Sequence, residues 1–520
     1  MAKHIVTFAP PTPNGGLHIG HLSGPYLAAD VYARSQRLLG DEVAFVSYSD
    51  DYQSYLSRKA RELDRSVETL AKDNYLEIKA ALENCRIVPD CFATAHGNER
   101  FLKTVDWFKR IASKHCEMQV DHVPYCEHCN LWGFEANARG ECSQCQASTD
   151  RSQCESCAAA PEVTGVSTVT CIQCRRLTKL VPVEREYLRL HEFREVHEAL
   201  VDRSGIRDPL IAYLDRILGL SRIDWPVDRP QECGIPCPSA ANGTVSTWFA
   251  GVAGYYAATE EIGKDDYWHD PAVHCAFFVG FDCSFSHAVV YPSLLKSAKL
   301  PAYNNLRIYT NSFLKLRGEN FSTSRGVAIW ANDLLSCVDA DYVRFYLALA
   351  APELTTSNFE PLEFCEYIRN DLISSLSSLI STCRSLPDGQ PLSSVHADQW
   401  RSQWREATAV DRFSMKRLAG LMDRALKELV VLAEGRSSLD ATRLFAAWAA
   451  LASPLLPEFS SSFLSALGMN LDDYRAWVHG RTHTLPEPSQ LLSDGFSLAP
   501  FDMKPSELVR LIQGIRPDAA

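Results

Sequence analysis

The opening stretch limits the fold more than any other part of the chain. His4–Ala9 is a short apolar run with strand character. It breaks into Pro10-Pro11-Thr12-Pro13-Asn14-Gly15-Gly16, a loop made of turn residues. From about Ile19 to Leu39 a helical pattern follows, with Leu22, Tyr26, Ala29, Val31, Ala33 and Leu38 broadly on its apolar side. Gly40-Asp41 stops the helix, and Glu42–Ser47 reads as a second strand. Strand, loop, helix and strand in so short a span make a βαβ unit, the start of a parallel sheet.

The 520 residues suffice for three or four domains of ~150 residues each. Another helical stretch covers about Tyr52–Leu82. Between Cys126 and Cys174 the composition shifts to Cys, Ser, Gly and Ala with little periodicity, which marks an inserted small module. After about Gly234 the α/β style resumes, with Ala276–Gly280 and Leu306–Thr310 as strands and Phe285–Ala298 as a helix. From Pro361 the pattern is helical, and Phe413, Leu418, Leu421, Met422, Ala425, Leu429 and Leu432 predict a helix-bundle core. Pro387-Asp388-Gly389-Gln390-Pro391 reads as a loop between helices. Hydrophobic residues make up 46% and charged residues 22%, an ordinary soluble balance, and no apolar run approaches the ~18 residues of a membrane span. The N-terminus lacks the regions of a signal peptide, so a cytoplasmic protein without membrane contact is expected. The formal charge of −12 argues weakly against a nucleic-acid partner, which usually meets a basic face.

The chain has 18 cysteines, eight of them in four C-x-x-C pairs: Cys126/Cys129, Cys142/Cys145, Cys154/Cys157 and Cys171/Cys174. In a cytosolic chain this spacing points to metal, because four thiolates make the tetrahedral set of structural zinc. Spacing alone leaves the grouping of the pairs open. Scattered cysteines such as Cys85 and Cys275 read as small buried hydrophobes.

His18-Ile19-Gly20-His21 falls where the first strand turns into the first helix. A helix N-terminus offers unpaired N–H groups and partial positive charge to a polyphosphate. Two imidazoles three residues apart can face that seat, and Gly20 leaves room for a nucleotide. At this point the chain resembles the class I aminoacyl-tRNA synthetases, whose HIGH signature it matches. The flanking Ala9–Gly16 loop and Ala29-Asp30-Val31-Tyr32-Ala33-Arg34 narrow the resemblance to the methionyl type. Ser49-Asp50-Asp51, Trp248-Phe249-Ala250-Gly251-Val252-Ala253-Gly254-Tyr255 and Phe278-Val279-Gly280-Phe281-Asp282 with His287 agree with it, over roughly residues 4–360.

The resemblance implies a split Rossmann-like α/β nucleotide-binding domain with a zinc-knuckle insertion, followed by an α-helical bundle. The expected division is 1–115 and 236–360 for the halves of the catalytic domain, 116–235 for the insertion and 361–520 for the bundle. It also implies two nested structural Zn2+ sites, the inner two cysteine pairs holding one ion and the outer two the other. ATP, with Mg2+ on its phosphates, would lie over Pro11, Asn14, His18, Gly20, His21, Gly280 and Asp282. The amino acid would meet Pro10, Thr12, Asp51, Trp248, Val252, Tyr255, Ser286 and His287, with Asp51 on the α-ammonium.

Three departures accompany the resemblance. The family's mobile KMSKS loop corresponds to Asn320-Phe321-Ser322-Thr323-Ser324-Arg325-Gly326, where both lysine positions are lost and Ser322, Ser324 and Arg325 remain as catalytic candidates. Losing a transition-state cation costs roughly 2–4 kcal/mol per contact, and Lys315, Arg317 or Arg325 are candidate replacements. Pocket walls expected as Leu, Tyr, Pro and Phe are Pro10, Thr12, Val252 and Ser286, which would strip apolar contact from a thioether side chain at about 25 cal/mol per Å2. Anticodon-reading positions fall on Ser378 and Thr382, which lack the forked donors suited to base edges. Together these departures predict a ligase that forms an aminoacyl adenylate and transfers it to a small-molecule, non-tRNA acceptor in natural-product biosynthesis. The synthetase-like modules of hydrazine-forming enzymes, which make N–N bonds with a zinc cupin, are a relevant resemblance, and the cupin would here be a separate partner protein. A true methionine–tRNA ligase and a silent synthetase-fold binding protein are the alternatives.

Overall fold

The computed structural model describes residues 1–151, 153–202, 205–230, 234–321, 327–384, 393–434 and 437–512. Its centre is a five-stranded parallel sheet of β1 (Lys3–Phe8), β2 (Glu42–Ser49), β3 (Cys91–Thr94), β4 (His274–Gly280) and β5 (Leu306–Asn311). The strand order is β5-β4-β1-β2-β3, so β1 sits between strands supplied by the two ends of the catalytic region. Val6 pairs with Phe45 on one side and with Ala276 on the other.

Alternation along the strands divides the core in two. Val6, Phe8, Phe45, Ala276 and Phe278 face the first helix and the C-terminal helices. Ile5, Ala44, Cys275, Phe277 and Val279 face the helices Glu99–Ala112, Thr247–Glu261 and Tyr291–Ser297. Both faces are covered, which is why these strands read as continuous apolar runs. Cys85 and Cys275 are fully buried within the two clusters, as small hydrophobes.

The helix after the loop runs as Ile19–His21, a wider turn Leu22–Tyr26, and Leu27–Leu38. The single helix expected over Tyr52–Leu82 is two, Ser54–Leu63 and Val67–Asn84. Asp64 adopts a left-handed conformation at φ 51°, and the Ser66 side chain caps the second helix by accepting from the Thr69 N–H.

The insertion is more ordered than its composition suggests. Cys116–Cys126 pairs antiparallel with Lys179–Arg189 in a long ribbon, and Glu135–Cys142 is flanked by Ser148–Arg151 and Val166–Cys171 in a three-stranded sheet. The ribbon register brings Cys126 and Cys129 beside Cys171 and Cys174, while Cys142, Cys145, Cys154 and Cys157 form the second quartet. Within each quartet the sulfurs lie within 4.8 Å of one another, with Cys126–Cys174 at 3.5 Å, Cys142–Cys157 at 3.7 Å and Cys145–Cys154 at 3.6 Å. A tetrahedral zinc with Zn–S bonds of about 2.3 Å sets its sulfurs ~3.8 Å apart, so both quartets have the donors and spacing for such an ion. The grouping is the nested one.

The C-terminal helices include Met415–Ala433 and Ser438–Ala452, with Phe413, Leu418, Leu421, Met422, Ala425 and Leu429 buried between helices. This bundle is tied to the catalytic region through Arg344, a fully buried guanidinium on the helix Ala340–Leu349. It donates to Asp30 Oδ2 at 2.7 Å, to the Cys85 carbonyl at 3.0 Å, and to the carbonyls of Pro454 and Leu455 at 2.6 and 3.2 Å. Burial pushes the Asp30 carboxyl up, but Arg34 and Arg344 together hold it below the usual carboxylate range. Ser378 and Thr382 lie on the helix Ser374–Arg384, with Ser378 exposed. The expected loop at residues 387–391 lies outside the described residues. No described helix is long and apolar enough to cross a membrane.

Two measurements check this architecture. Elemental analysis should find two zinc ions per chain, one lost in Cys126→Ser, the other in Cys142→Ser, and both in the double variant. Arg344→Ala should cost about 3–5 kcal/mol in chemical denaturation, since it removes one of the two cations paired with buried Asp30 and leaves the Cys85, Pro454 and Leu455 carbonyls without this donor.

Candidate active site

A cavity of about 820 Å3 opens where β1, β2, β4 and β5 end, the crevice in which open parallel sheets hold ligands. Each strand hands it residues directly: Ala9 and Pro10 after β1, Asp50 after β2, Phe281 and Asp282 after β4, Ser312 and Phe313 after β5.

One side is the start of the first helix. His18 and His21 stack with ring centres 3.7 Å apart, and Phe321 stacks on His18 at 4.6 Å. A Cβ on Gly20 would stand 2.9 Å from the His18 ring and 3.1 Å from Phe321, so glycine here makes room for the stack. His21 Nδ1 accepts from the His18 backbone N–H at 3.2 Å, which places the proton of the neutral ring on Nε2. Burial lowers the His21 pKa to about 4 and drives that of His18 well below its ordinary value, with His21 adding to the effect. Both rings are therefore neutral near pH 7 and offer N–H donors to the cavity rather than positive charge. His18 Nδ1 is buried without a partner.

The same cavity is lined by anions. Asp50 accepts from Gln53 Nε2 at 2.7 Å, and burial, then the charges of Glu135 and Asp51, push its carboxyl up to about 8. Asp51, the expected ammonium ligand, hydrogen-bonds to the scaffold. Its Oδ1 accepts from Ser49 Oγ at 2.5 Å and its Oδ2 from the Ala95 and His96 N–H groups at 2.8 and 2.9 Å, and it does not line the cavity. Asp282 is raised to about 6 by burial and the nearby charge of Glu155.

Of the other expected contacts, Pro10, Pro11, Thr12, Asn14, Trp248, Gly280 and His287 line the cavity. Val252, Tyr255 and Ser286 are fully buried behind it. His287 Nδ1 faces the Cys283 carbonyl at 3.1 Å and Ser286 Oγ at 3.0 Å, so Nε2 accepts from the Tyr255 hydroxyl at 3.0 Å. Tyr255 and Ser286 thus orient a wall residue instead of forming the wall. Burial holds His287 neutral, at about 3.

Sequence reasoning missed Tyr48, Asp50, Gln53 and Tyr291, all on the cavity. Two glycines in the helix Thr247–Glu261 were the available signal for the tyrosines. A Cβ on Gly251 would overlap the Tyr291 ring, and one on Gly254 would come within 2.3 Å of Tyr48. It also missed Gln153, Glu155 and Ser156, which the inner cysteine knuckle brings to the cavity. Lys315 is the one lysine or arginine among the described lining residues. Ser322, Ser324 and Arg325 lie outside the described residues.

Comparison with known proteins agrees with this geometry. Residues 4–384 match the family model described as tRNA synthetases class I (M). The methionine–tRNA ligase of Thermoplasma acidophilum is 29% identical over 402 residues, covering 74% of this chain and 73% of that one. That of Methanobrevibacter smithii is 28% identical over 364 residues, and the match spans only 54% of its length. A solved structure of Mycobacterium tuberculosis methionyl-tRNA synthetase in complex with methionyl-adenylate superposes with a TM-score of 0.73, covering 94% of this chain and 98% of that one at 19% identity, a likeness of fold. The chain belongs to the class I tRNA synthetases of the M type, a family of ATP-dependent ligases.

Proposed function

We propose that this chain activates an amino-acid carboxylate with ATP and transfers the aminoacyl group to a non-tRNA acceptor in natural-product biosynthesis, with N–N bond formation as one such use. The observation that carries the activation step is one cavity that holds both a helix-start imidazole pair and buried carboxylates. ATP lies with its phosphates against His18 and His21 and its nucleoside toward Gly280 and Asp282. Mg2+ accompanies the polyphosphate as its counterion. The α-ammonium sits on Asp50, beside Trp248 and His287, while Asp51 braces the turn that aims Asp50. A carboxylate oxygen attacks the α-phosphorus, the bond to the β-phosphate oxygen breaks, and pyrophosphate leaves with its electron pair. In the second step an acceptor nucleophile bonds to the acyl carbon, the acyl–phosphate bond breaks toward AMP, and the acceptor's proton passes to water. Neither step needs a side-chain nucleophile, since the protein contributes position and charge.

Support for a non-tRNA acceptor comes from what anticodon reading would use and this chain lacks, forked donors at Ser378 and Thr382, together with the altered pocket walls Pro10, Thr12, Val252 and Ser286. The similarity to methionine–tRNA ligases favours the second reading, a tRNA ligase with unusual loop and pocket residues.

Amino-acid-dependent ATP–pyrophosphate exchange across the twenty amino acids separates these readings. Exchange with one amino acid is expected, and His21→Ala should reduce it by about 10²–10³-fold, the scale of one lost transition-state donor. Methionine as that amino acid, with charging of transcribed tRNA, would establish the tRNA-ligase reading. Exchange with none, with and without candidate acceptors, would leave a silent scaffold.

The role of Asp50 has its own signature. An ammonium binds the ionised carboxylate, so with a folded pKa of about 8 the amino-acid KM should fall as pH rises from about 6 to about 8.5. Asp50→Asn should flatten that profile and raise KM by roughly 10- to 150-fold, the equivalent of about 1.5–3 kcal/mol for a charge-assisted hydrogen bond. His18 and His21 stay neutral through this window, and Asp282, at about 6, titrates at its lower edge.

A further inference from the structure

The inner knuckle contributes to the cavity as well as to its own metal site. Gln153, Glu155 and Ser156, interleaved with the ligands Cys154 and Cys157, all line it. Gln153 is 8% exposed, and its Oε1 is buried with no hydrogen-bond partner. A second amide oxygen, Gln53 Oε1, is orphaned in the same cavity from a side chain 3% exposed. Buried carbonyl oxygens without donors cost free energy until a ligand supplies N–H or O–H groups. The two orphaned acceptors thus ask for a donor-rich ligand. The charges agree, since Asp50, Glu155 and Asp282 line the cavity against a single lysine, Lys315, among its described residues.

The knuckle is held firmly enough to recognise a substrate. Tyr55 donates to Asp150 beside the knuckle, Arg61 Nη2 donates to Asn137 Oδ1 at 2.8 Å, and Ser54 Oγ donates to Glu135 Oε2 at 2.9 Å. All three contacts come from the helix that follows Asp50 and Gln53, so both walls of the cavity share one support. Glu155 and Ser156 are exposed, which puts them at the mouth, while Asp50, Trp248 and His287 lie deeper.

We propose that Gln153, Glu155 and Ser156 form a second-substrate subsite that takes an amine, held by its N–H groups on Gln153 Oε1 and by its charge on Glu155. This rests on the activating reading above and names the chemical class of acceptor that reading leaves open. The same chemistry could reach the subsite as an amino group on the side chain of the activated acid. Its place at the mouth favours a separate amine.

The test uses the zinc-loaded full chain with putrescine as the amine and butanediol as its neutral counterpart, comparing wild type with Gln153→Ala, Glu155→Gln and, on the outer knuckle, Glu127→Gln. Zinc content reports that the knuckle is intact. The expected result is amine-dependent AMP release with the putrescine KM raised about 10-fold or more in Gln153→Ala and Glu155→Gln, a loss of roughly 1.4 kcal/mol. Pyrophosphate exchange, the Glu127→Gln enzyme and the weak response to butanediol should stay unchanged. A rise instead in the amino-acid KM for exchange would support the subsite and assign its amine to the activated acid. If neither KM moves beyond about 2-fold while zinc content holds, the proposal is overturned. If wild type shows no exchange at all, the activating reading has failed on its own, and calorimetric titration with putrescine decides the subsite. Binding lost in the two inner-knuckle variants then upholds it, and no binding to wild type overturns it.

Discussion

The parallel pairing of β1 with β4 is the contact on which the rest of the molecule depends. These strands are far apart in sequence, yet they share a register from His4–His274 to Phe8–Phe278. That pairing closes the sheet and sets the ends of β1, β2, β4 and β5 side by side. The connection must leave the sheet and return to it, so the insertion has to fold beside the crevice. Glu135 fastens it there, accepting from Ser54 and Thr247 and pairing with Arg229, all buried or nearly so. One carboxylate thereby links the insertion, the helix after β2 and the helix that presents Trp248.

Burial then decides the chemistry. The imidazoles of His18, His21 and His287 are kept neutral by the loss of water, and the Asp50 and Asp282 carboxyls are raised for the same reason. A cavity of this kind is hungry for cationic and N–H-rich groups, and among its described residues Lys315 alone carries fixed positive charge. The imidazole pair can still donate hydrogen bonds at the helix start, where the backbone dipole adds to them.

The bundle stands on the other side of the sheet from the helix that carries Trp248. Arg344 joins it, through the Pro454 and Leu455 carbonyls, to the first catalytic helix at Asp30 and to the Cys85 carbonyl. The same helix therefore carries the imidazole pair at its start and the bundle's anchor point farther along. The arrangement makes the bundle a support for the imidazole seat whether or not its outer surface meets RNA.

Much of this was legible beforehand. The βαβ start, the imidazole pair, the cysteine pairs and the helical stripe from Phe413 are local patterns, and local patterns follow from backbone sterics, hydrophobic periodicity and ligand spacing. Three things were not legible. The break at Asp64 is one, because a left-handed cap on a non-glycine residue leaves a faint mark in a helical pattern. The grouping of the cysteines was supplied by resemblance, and the residues themselves left it open, because the ribbon register that joins Cys126 to Cys174 lies between distant segments. The choice between Asp50 and Asp51 is the third. Neighbouring residues at a strand end point apart, and the N–H groups of Ala95 and His96, brought in by β3, capture one carboxylate and leave the other to the cavity. The chain alone determined which groups could do the chemistry. Tertiary structure decided which of them face the cavity, because hydrogen bonds from remote backbone satisfy some buried polar atoms and leave others without a partner.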